Sequence, residues 1–358
     1  MMSQTDTETA GRLWGDADRW RYYESSHVLW AQLPAVQRRI NEKISGNPDV
    51  DWVDHLKATH LAGRAPVPRC LSLCCWYGET ERMLSRRGVF RQCTAYDVSE
   101  GALAQATEAA AEEGIANVEY VRQDVNSMVL PEAEFDLIVA HGGLHHIVAL
   151  EHVLDEINRG LKVDGLLVAL EYVGPSRFRF PERQQEVANL ALRLLPERFR
   201  RSISWQRLGR VGPGAKRSCA AWLKLLWLKV RNGTLFEALA RRAHYWWLRR
   251  TGEPLIKRAV PRIVGSEMAI DDPTEAVRSA EIIPLLREKL HVVEYKPYGG
   301  TVLLHLLDDI AGNFETDEPG ARELLDMLFA IEDALMAAGE IDSDFAYVVA
   351  GKRGAEAG

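Results

Sequence analysis

Cysteine is scarce in this chain and badly spaced for metal or redox work. There are five (Cys70, Cys74, Cys75, Cys93, Cys219), and none forms a C-x-x-C pair, which excludes the usual zinc and dithiol patterns. Four stand on or beside apolar, strand-like segments, as buried thiols in a reducing compartment do. No uncharged apolar run approaches the roughly 20 residues that a membrane crossing needs. The polar, acidic start lacks the basic-then-apolar order of a signal peptide. These absences predict a cytoplasmic protein. The first strand–turn–helix also lacks G-x-G-x-x-G, which argues against a nicotinamide dehydrogenase.

What is present is unevenly distributed. At 358 residues the chain is long for one compact domain, and its 47% apolar content suits a proper core. The net charge of −7 hides a division: residues 176–262 hold 21 Lys/Arg against 5 Asp/Glu, so this stretch carries +16 and the remainder −23. Five of the ten tryptophans fall in the same stretch (Trp205, Trp222, Trp227, Trp246, Trp247). Such a shift marks a separate unit with its own kind of surface.

Four segments follow. Residues 1–66 read as helical and amphipathic, with Trp14, Trp20, Trp30 and Trp52 at helical spacings, and Gly46-Asn47-Pro48 dividing them. Residues 67–175 alternate strands with helices: strands at 69–74, 92–97, 118–122, 135–140 and 166–172, with helices at about 100–113 (capped by Ser99) and 150–161. That rhythm predicts a parallel, doubly wound α/β sheet. Residues 176–270 form the basic, Trp-rich helical insertion. Residues 271–358 return to the sheet through a helix from Asp271 to about Leu290, a strand at 292–297, two helices over about 302–338 and a final strand at 345–350.

Asp97 is the most telling residue. It ends the second strand nineteen positions after Gly78, where an α/β fold places an acid on the two hydroxyls of a ribose. A nucleoside-bearing ligand at the carboxyl edge of the sheet is therefore expected.

Four stretches carry a family resemblance: Ala95-Tyr96-Asp97-Val98-Ser99, Gly143-Leu144-His145-His146-Ile147, Leu161-Lys162-Val163-Asp164-Gly165 and Glu171-Tyr172-Val173-Gly174-Pro175-Ser176-Arg177-Phe178. In this order and spacing the chain resembles the class I S-adenosylmethionine-dependent methyltransferases. The resemblance implies a Rossmann-like, seven-stranded sheet interrupted by the helical insertion, with S-adenosylmethionine as cofactor. The family's first loop reads acidic-x-Gly-Cys-Gly-x-Gly. Here it is Ser72-Leu73-Cys74-Cys75-Trp76-Tyr77-Gly78, so only Cys75 and Gly78 match. Glycines there allow positive φ and close approach of the cofactor, and Trp76 either points away or fills the cofactor space.

Carried over residue by residue, the resemblance implies cofactor contacts from Cys75, Trp76, Gly78, Asp97, Val98, Asp124, Val125 and His141. Asp124 stands where the family places a side chain beside the adenine amino group; an ordinary turn aspartate is the alternative. His145 and His146 follow the fourth strand, where a neutral imidazole could take a proton from an acceptor hydroxyl, and Glu171 is a second candidate base. Tyr172 faces the same crevice as Glu171. Arg177 either pairs with an acidic group on the substrate or simply with Glu171. No metal is expected, because no cysteine or acid stands at ligand spacing near the three histidines.

The insertion contains amphipathic helices at 220–231 and 236–250, with Trp and Leu among Lys and Arg. They read first as a lid whose aromatic side packs on the sheet. An anionic membrane surface, a phosphate-rich partner or a homodimer contact are the other readings. Three functions follow: methyl transfer to an oxygen, or less readily a nitrogen, of a small-molecule, lipid-linked or glycan-linked acceptor; a non-methylating binding role forced by Cys74 and Trp76; or RNA methylation. The last is disfavoured because His141-Gly142-Gly143-Leu144 replaces the Asn/Asp-Pro-Pro-aromatic run of enzymes that methylate base amino groups.

Overall fold

A computed structural model describes residues 4–16, 28–208, 219–260, 270, 272–316 and 318–354. Trp20, Asp271 and two stretches of the basic insertion (209–218 and 261–269) lie outside the described residues.

Seven strands form one sheet: β1 (Val67–Leu73), β2 (Phe90–Asp97), β3 (Val118–Arg122), β4 (Phe135–His141), β5 (Leu161–Tyr172), β6 (His291–Gly299) and β7 (Phe345–Gly351), in the order β3-β2-β1-β4-β5-β7-β6. The first five are parallel, and β7 runs antiparallel to both β5 and β6. This is the Rossmann-like seven-stranded class I methyltransferase topology. Strand order reverses between β1 and β4, and ligands of open α/β sheets bind outside the carboxyl ends at such a point.

Helices α1 (Gln4–Trp14), α2 (Pro34–Ser45) and α3 (Trp52–Thr59) precede the sheet, and α4 (Glu79–Arg86), α5 (Glu100–Glu112) and α6 (Leu150–Gly160) connect its first strands. Then come α7 (Glu182–Leu194), α8 (Ile203–Leu208), α9 (Cys219–Arg231) and α10 (Leu235–Thr251), followed by α11 (Ile282–Lys289), α12 (Leu303–Leu307) and α13 (Pro319–Ala337). Neighbouring side chains on a strand point to opposite faces, and both faces are covered here. Leu137 and Val139 join a core with residues of α2, α3, α7, α12 and α13, while Ile138 and Ala140 join a second core with α6 and α11. Burial on both faces accounts for the nearly continuous apolar runs of β4 and β5.

The structure differs from the sequence reading at two places. The stretch from Asp272 to Arg278 is not helical, and α11 begins only at Ile282. Asp272 turns the chain instead, its Oδ1 accepting from the amide and hydroxyl of Thr274 at 2.8 and 2.6 Å. Nor does the aromatic side of the insertion pack on the sheet. Trp205 is buried, but Trp222, Trp227, Trp246 and Trp247 are 54%, 56%, 61% and 49% exposed. Only Leu225, Leu228 and Leu248 are buried hydrophobics on the described parts of α9 and α10.

Candidate active site

The loop after β1 keeps a glycine backbone with only one of the three glycines. Cys74 (φ 56°), Trp76 (φ 49°) and Gly78 (φ 70°) all adopt the left-handed conformation, at the three positions where the family pattern has glycine. For a residue with a Cβ this costs on the order of 1–2 kcal/mol, offset by hydrogen bonds that fix the loop. The Cys75 amide donates to the Tyr96 carbonyl at 3.0 Å, the Trp76 amide to Asp97 Oδ2 at 2.9 Å, and the Gly78 amide to the Cys75 carbonyl at 2.8 Å. Gly78 has no alternative, since a Cβ there would fall 2.4 Å from the Tyr120 hydroxyl.

Ser72, where the family pattern has an acid, pairs with an acid from the next helix. Ser72 Oγ donates to Glu81 Oε1, beneath the loop. Glu81 is buried, its Oε2 has no partner among the described residues, and burial pushes its carboxyl up to about 7. The sequence shows Glu81 only as an acid in the first turn of α4, so nothing marked it out.

Asp97 is buried at the end of β2, its second oxygen accepting from the Ser99 amide at 2.8 Å. Burial raises its pKa, against the lowering effect of these amide bonds. Val98 follows it under α1. Asp124 caps the turn after β3, accepting from the amide and side chain of Asn126 at 3.0 Å each, and Asn126 in turn receives the Val148 and Ala149 amides. Val125 points into the core below, and the Cys75 side chain packs with Ala95 and Leu103. His141, at the end of β4, is open to solvent and pairs with Thr80 Oγ1 at 2.9 Å.

Glu171 and the two histidines form the second half of the site. Glu171 is sealed under the turn Gly143–His146: Oε2 accepts the Gly143 and Leu144 amides at 3.0 and 2.8 Å, and Oε1 lies 2.5 Å from His145 Nδ1. Burial works to discharge His145, but Glu171, with Glu275 and Asp272 behind it, outweighs that and raises its pKa. His146 is the reverse case: burial and then the neighbouring His145 push its pKa well below the ordinary value, leaving a neutral ring. Its Nδ1 sits 3.1 Å from Thr274 Oγ1.

Several sequence expectations are corrected here. Acids do stand near the histidines: besides Glu171, Glu275 lies 3.7 Å from His145 Nε2 and 4.0 Å from His146 Nε2. Arg177 does not pair with Glu171. It donates to the carbonyls of Glu275 and Pro273 at 3.2 and 2.6 Å, holding the returning loop in place. Tyr172 donates to the Pro175 carbonyl at 3.2 Å and packs against Phe178 and Phe345, whereas Glu171 is enclosed, so the two do not line one open crevice.

Trp14 was not anticipated as a site residue. Its ring meets Trp76 and His146 edge-on at 6.0 and 5.1 Å, its Nε1 donates to Asp272 Oδ2 at 2.9 Å, and its carbonyl accepts from Trp76 Nε1 and the Tyr77 hydroxyl at 3.2 Å each. Trp76 therefore turns toward α1. The close approach depends on glycine: a Cβ on Gly15 would meet Ser99 Oγ at 2.6 Å, and one on Gly101 the Gly15 carbonyl at 2.9 Å. The signal in the sequence was Gly11 and Gly15, one helical turn apart and flanking a tryptophan. Between α1 and Val98–Gly101 lies an open cleft of about 520 Å³, lined also by Arg12 and Arg122, a size that suits a small-molecule ligand.

Residues 71–169 match the family model described as a methyltransferase domain. Relatives include the 2-phytyl-1,4-naphtoquinone methyltransferase of Nostoc sp., 25% identical over 160 residues, or 44% of this chain and 69% of that protein. Another is the demethylmenaquinone methyltransferase of Staphylococcus epidermidis, 25% identical over 154 residues, or 43% of this chain and 62% of that protein. Among solved structures, geranyl diphosphate C-methyltransferase from Streptomyces coelicolor A3(2) superimposes with a TM-score of 0.46 at 12% identity, covering 98% of each chain. Residues 71–169 thus form a methyltransferase domain, and the sheet order is that of the class I S-adenosylmethionine-dependent methyltransferases.

Proposed function

We propose that the protein transfers the methyl group of S-adenosylmethionine to an oxygen-bearing, lipid-linked acceptor taken from a membrane surface. The residues present fit this donor. Asp97, Glu171 and Asp124 all act on the Cys74 thiol, which burial and then these carboxylates push well above its usual pKa, so the loop sits in a negative field suited to a cation. Asp97 would hold the ribose, and the left-handed loop would admit the rest of the molecule. When bound, S-adenosylmethionine supplies an electrophilic methyl group on a positively charged sulfur.

The chain's own residues supply the remaining needs. His146 is neutral and can accept the acceptor's hydroxyl proton, with Glu275 close enough to favour the imidazolium that results. His145, fixed by Glu171, holds the turn that presents His146. Trp14 and α1 limit water at the loop.

One observation carries the acceptor class: Trp222, Trp227, Trp246 and Trp247 stand exposed among Lys224, Lys229, Arg231, Arg249 and Arg250. Indole rings among cations suit an anionic headgroup layer. No described helix is long and apolar enough to cross a membrane, so contact would be peripheral. The relatives' printed names, a 2-phytyl-1,4-naphtoquinone and a demethylmenaquinone methyltransferase, support a lipid-linked acceptor and leave the methylated atom open. The test is incubation of the full chain with methyl-labelled S-adenosylmethionine and anionic vesicles carrying a lipid extract. Label in the organic phase that His146→Gln and Asp97→Asn both lose supports the reading. Label confined to water-soluble acceptors or to RNA overturns the acceptor class.

A further inference from the structure

A second constellation of ligating side chains lies away from this site. The final turns of α3 bring His55 and His60 over the sheet, against Glu294 of the edge strand β6. His55 Nε2 is 3.1 and 2.9 Å from the two Glu294 oxygens, and His60 Nε2 is 2.8 Å from Oε2. Two imidazoles therefore aim the same nitrogen at one carboxylate, and the three ligand atoms lie within 4.8 Å of one another. Thr59 Oγ1 lies 3.5 Å from His55 Nδ1, in the outer position from which ligating histidines are oriented.

Two further observations point to an occupant. The buried hydroxyl of Tyr347 has no hydrogen-bond partner among the described residues. Its ring meets His55 edge-on at 5.8 Å. A buried donor left unpaired costs on the order of 1–3 kcal/mol, which a metal-bound water beside Glu294 would relieve. The strand is also irregular at this point. Val292 pairs with Ala350 and Glu294 with Val349, so Val293 is an extra, bulged residue. Val349 and Tyr347 face the core that contains α3, and the bulge puts Glu294 on that face. Bulges commonly re-aim a side chain in this way. Lys296 Nζ, 3.6 Å from Glu294 Oε1, is the other charged neighbour, and its side chain is 42% exposed.

We infer that His55, His60 and Glu294 bind a borderline divalent cation of the zinc class, with water at the fourth position hydrogen-bonded to Tyr347. Two imidazoles and one carboxylate suit such an ion better than magnesium or calcium, and tetrahedral binding at about 2.0–2.2 Å needs only a small spreading of the present ligands. The ion would tie the helices before the sheet to its otherwise open edge, a structural role separate from methyl transfer.

The test uses the full chain, stripped with chelator, loaded with Zn²⁺, desalted and assayed for metal. One retained ion per chain, together with a thermal midpoint raised by Zn²⁺ but not by Mg²⁺, is expected. His60→Ala and Glu294→Gln should each abolish both effects, and the latter preserves shape and hydrogen bonding should the alanine fold poorly. His146→Ala should retain the ion. Co²⁺ in place of Zn²⁺ should give the visible absorption of tetrahedral coordination. An ion that survives His60→Ala or Glu294→Gln, an ion lost in His146→Ala, or no retained ion would each overturn the assignment.

Discussion

Gly143 lies so close to Cys74 that a Cβ built on it would meet the Cys74 Cβ at 2.6 Å. The turn after β4 thus touches the loop after β1 across the switch point of the sheet, and the histidines and the cofactor loop are one packed unit.

Gly143→Ala should cost about 1–3 kcal/mol, the usual penalty for an extra methyl group in a packed site. Cys74→Gly should remove both the obstacle and the left-handed strain at position 74, so the double variant should recover part of that loss. Urea denaturation of the two single variants and the double variant measures the coupling. Additive losses would mean that the contact is not what constrains Gly143.

Glu171→Gln keeps the shape beneath the turn but removes the charge that holds His145 protonated. With only Glu275 and Asp272 left to oppose burial, the His145 pKa should fall, which NMR titration of the ring would read. The raised native pKa stabilises the wild type fully below the unfolded value of about 6.5 and loses this effect as pH rises through the folded value. The wild type's advantage over the variant should shrink in that direction. A His145 pKa that does not move would break the proposed pairing.

Gly15→Val places a branched side chain where Ser99 Oγ and the Gly101 Cα already stand, at 2.6 and 3.4 Å from a Cβ. Helix α1 should undock while the sheet stays intact. Faster proteolysis within Gln4–Trp14 and weaker S-adenosylmethionine binding by calorimetry are expected. Cleavage at the wild-type rate would show that α1 does not depend on this glycine contact.

Glu81 gives a pH effect of opposite origin. Its native carboxyl ionises near 7 rather than 4.5, so the unfolded chain ionises first and stability falls as pH rises across that window. Glu81→Gln should remove about 3 kcal/mol of this slope. Asp344, also pushed up to about 7 by burial, leaves its own share in both proteins, so the difference between their pH profiles is the quantity to compare. Parallel profiles would remove Glu81 as the source.

Much of the fold was legible because local pattern and global burial agree. Val139 and Ala140 must be apolar whichever face they meet, and Ser99 caps α5 through its own neighbours, accepting the Ala102 amide. The stretch from Asp272 to Arg278 misled, because Asp-Pro-Thr before an apolar run looks like a helix start. Contacts with Trp14, His146 and Arg177, far away in sequence, hold it open instead.

The sequence by itself determined the alternation of strands and helices, the position of Asp97 and the basic, aromatic character of the insertion. Each follows from periodicity, spacing or composition within a short stretch. Only the tertiary structure decided that Cys74 and Trp76 take glycine's backbone, that Ser72 pairs with the buried Glu81, and that Trp14 closes over His146. Left-handed φ at a non-glycine, a carboxylate borrowed from another element and a ring laid across the site all depend on partners brought together by folding. No local pattern encodes them.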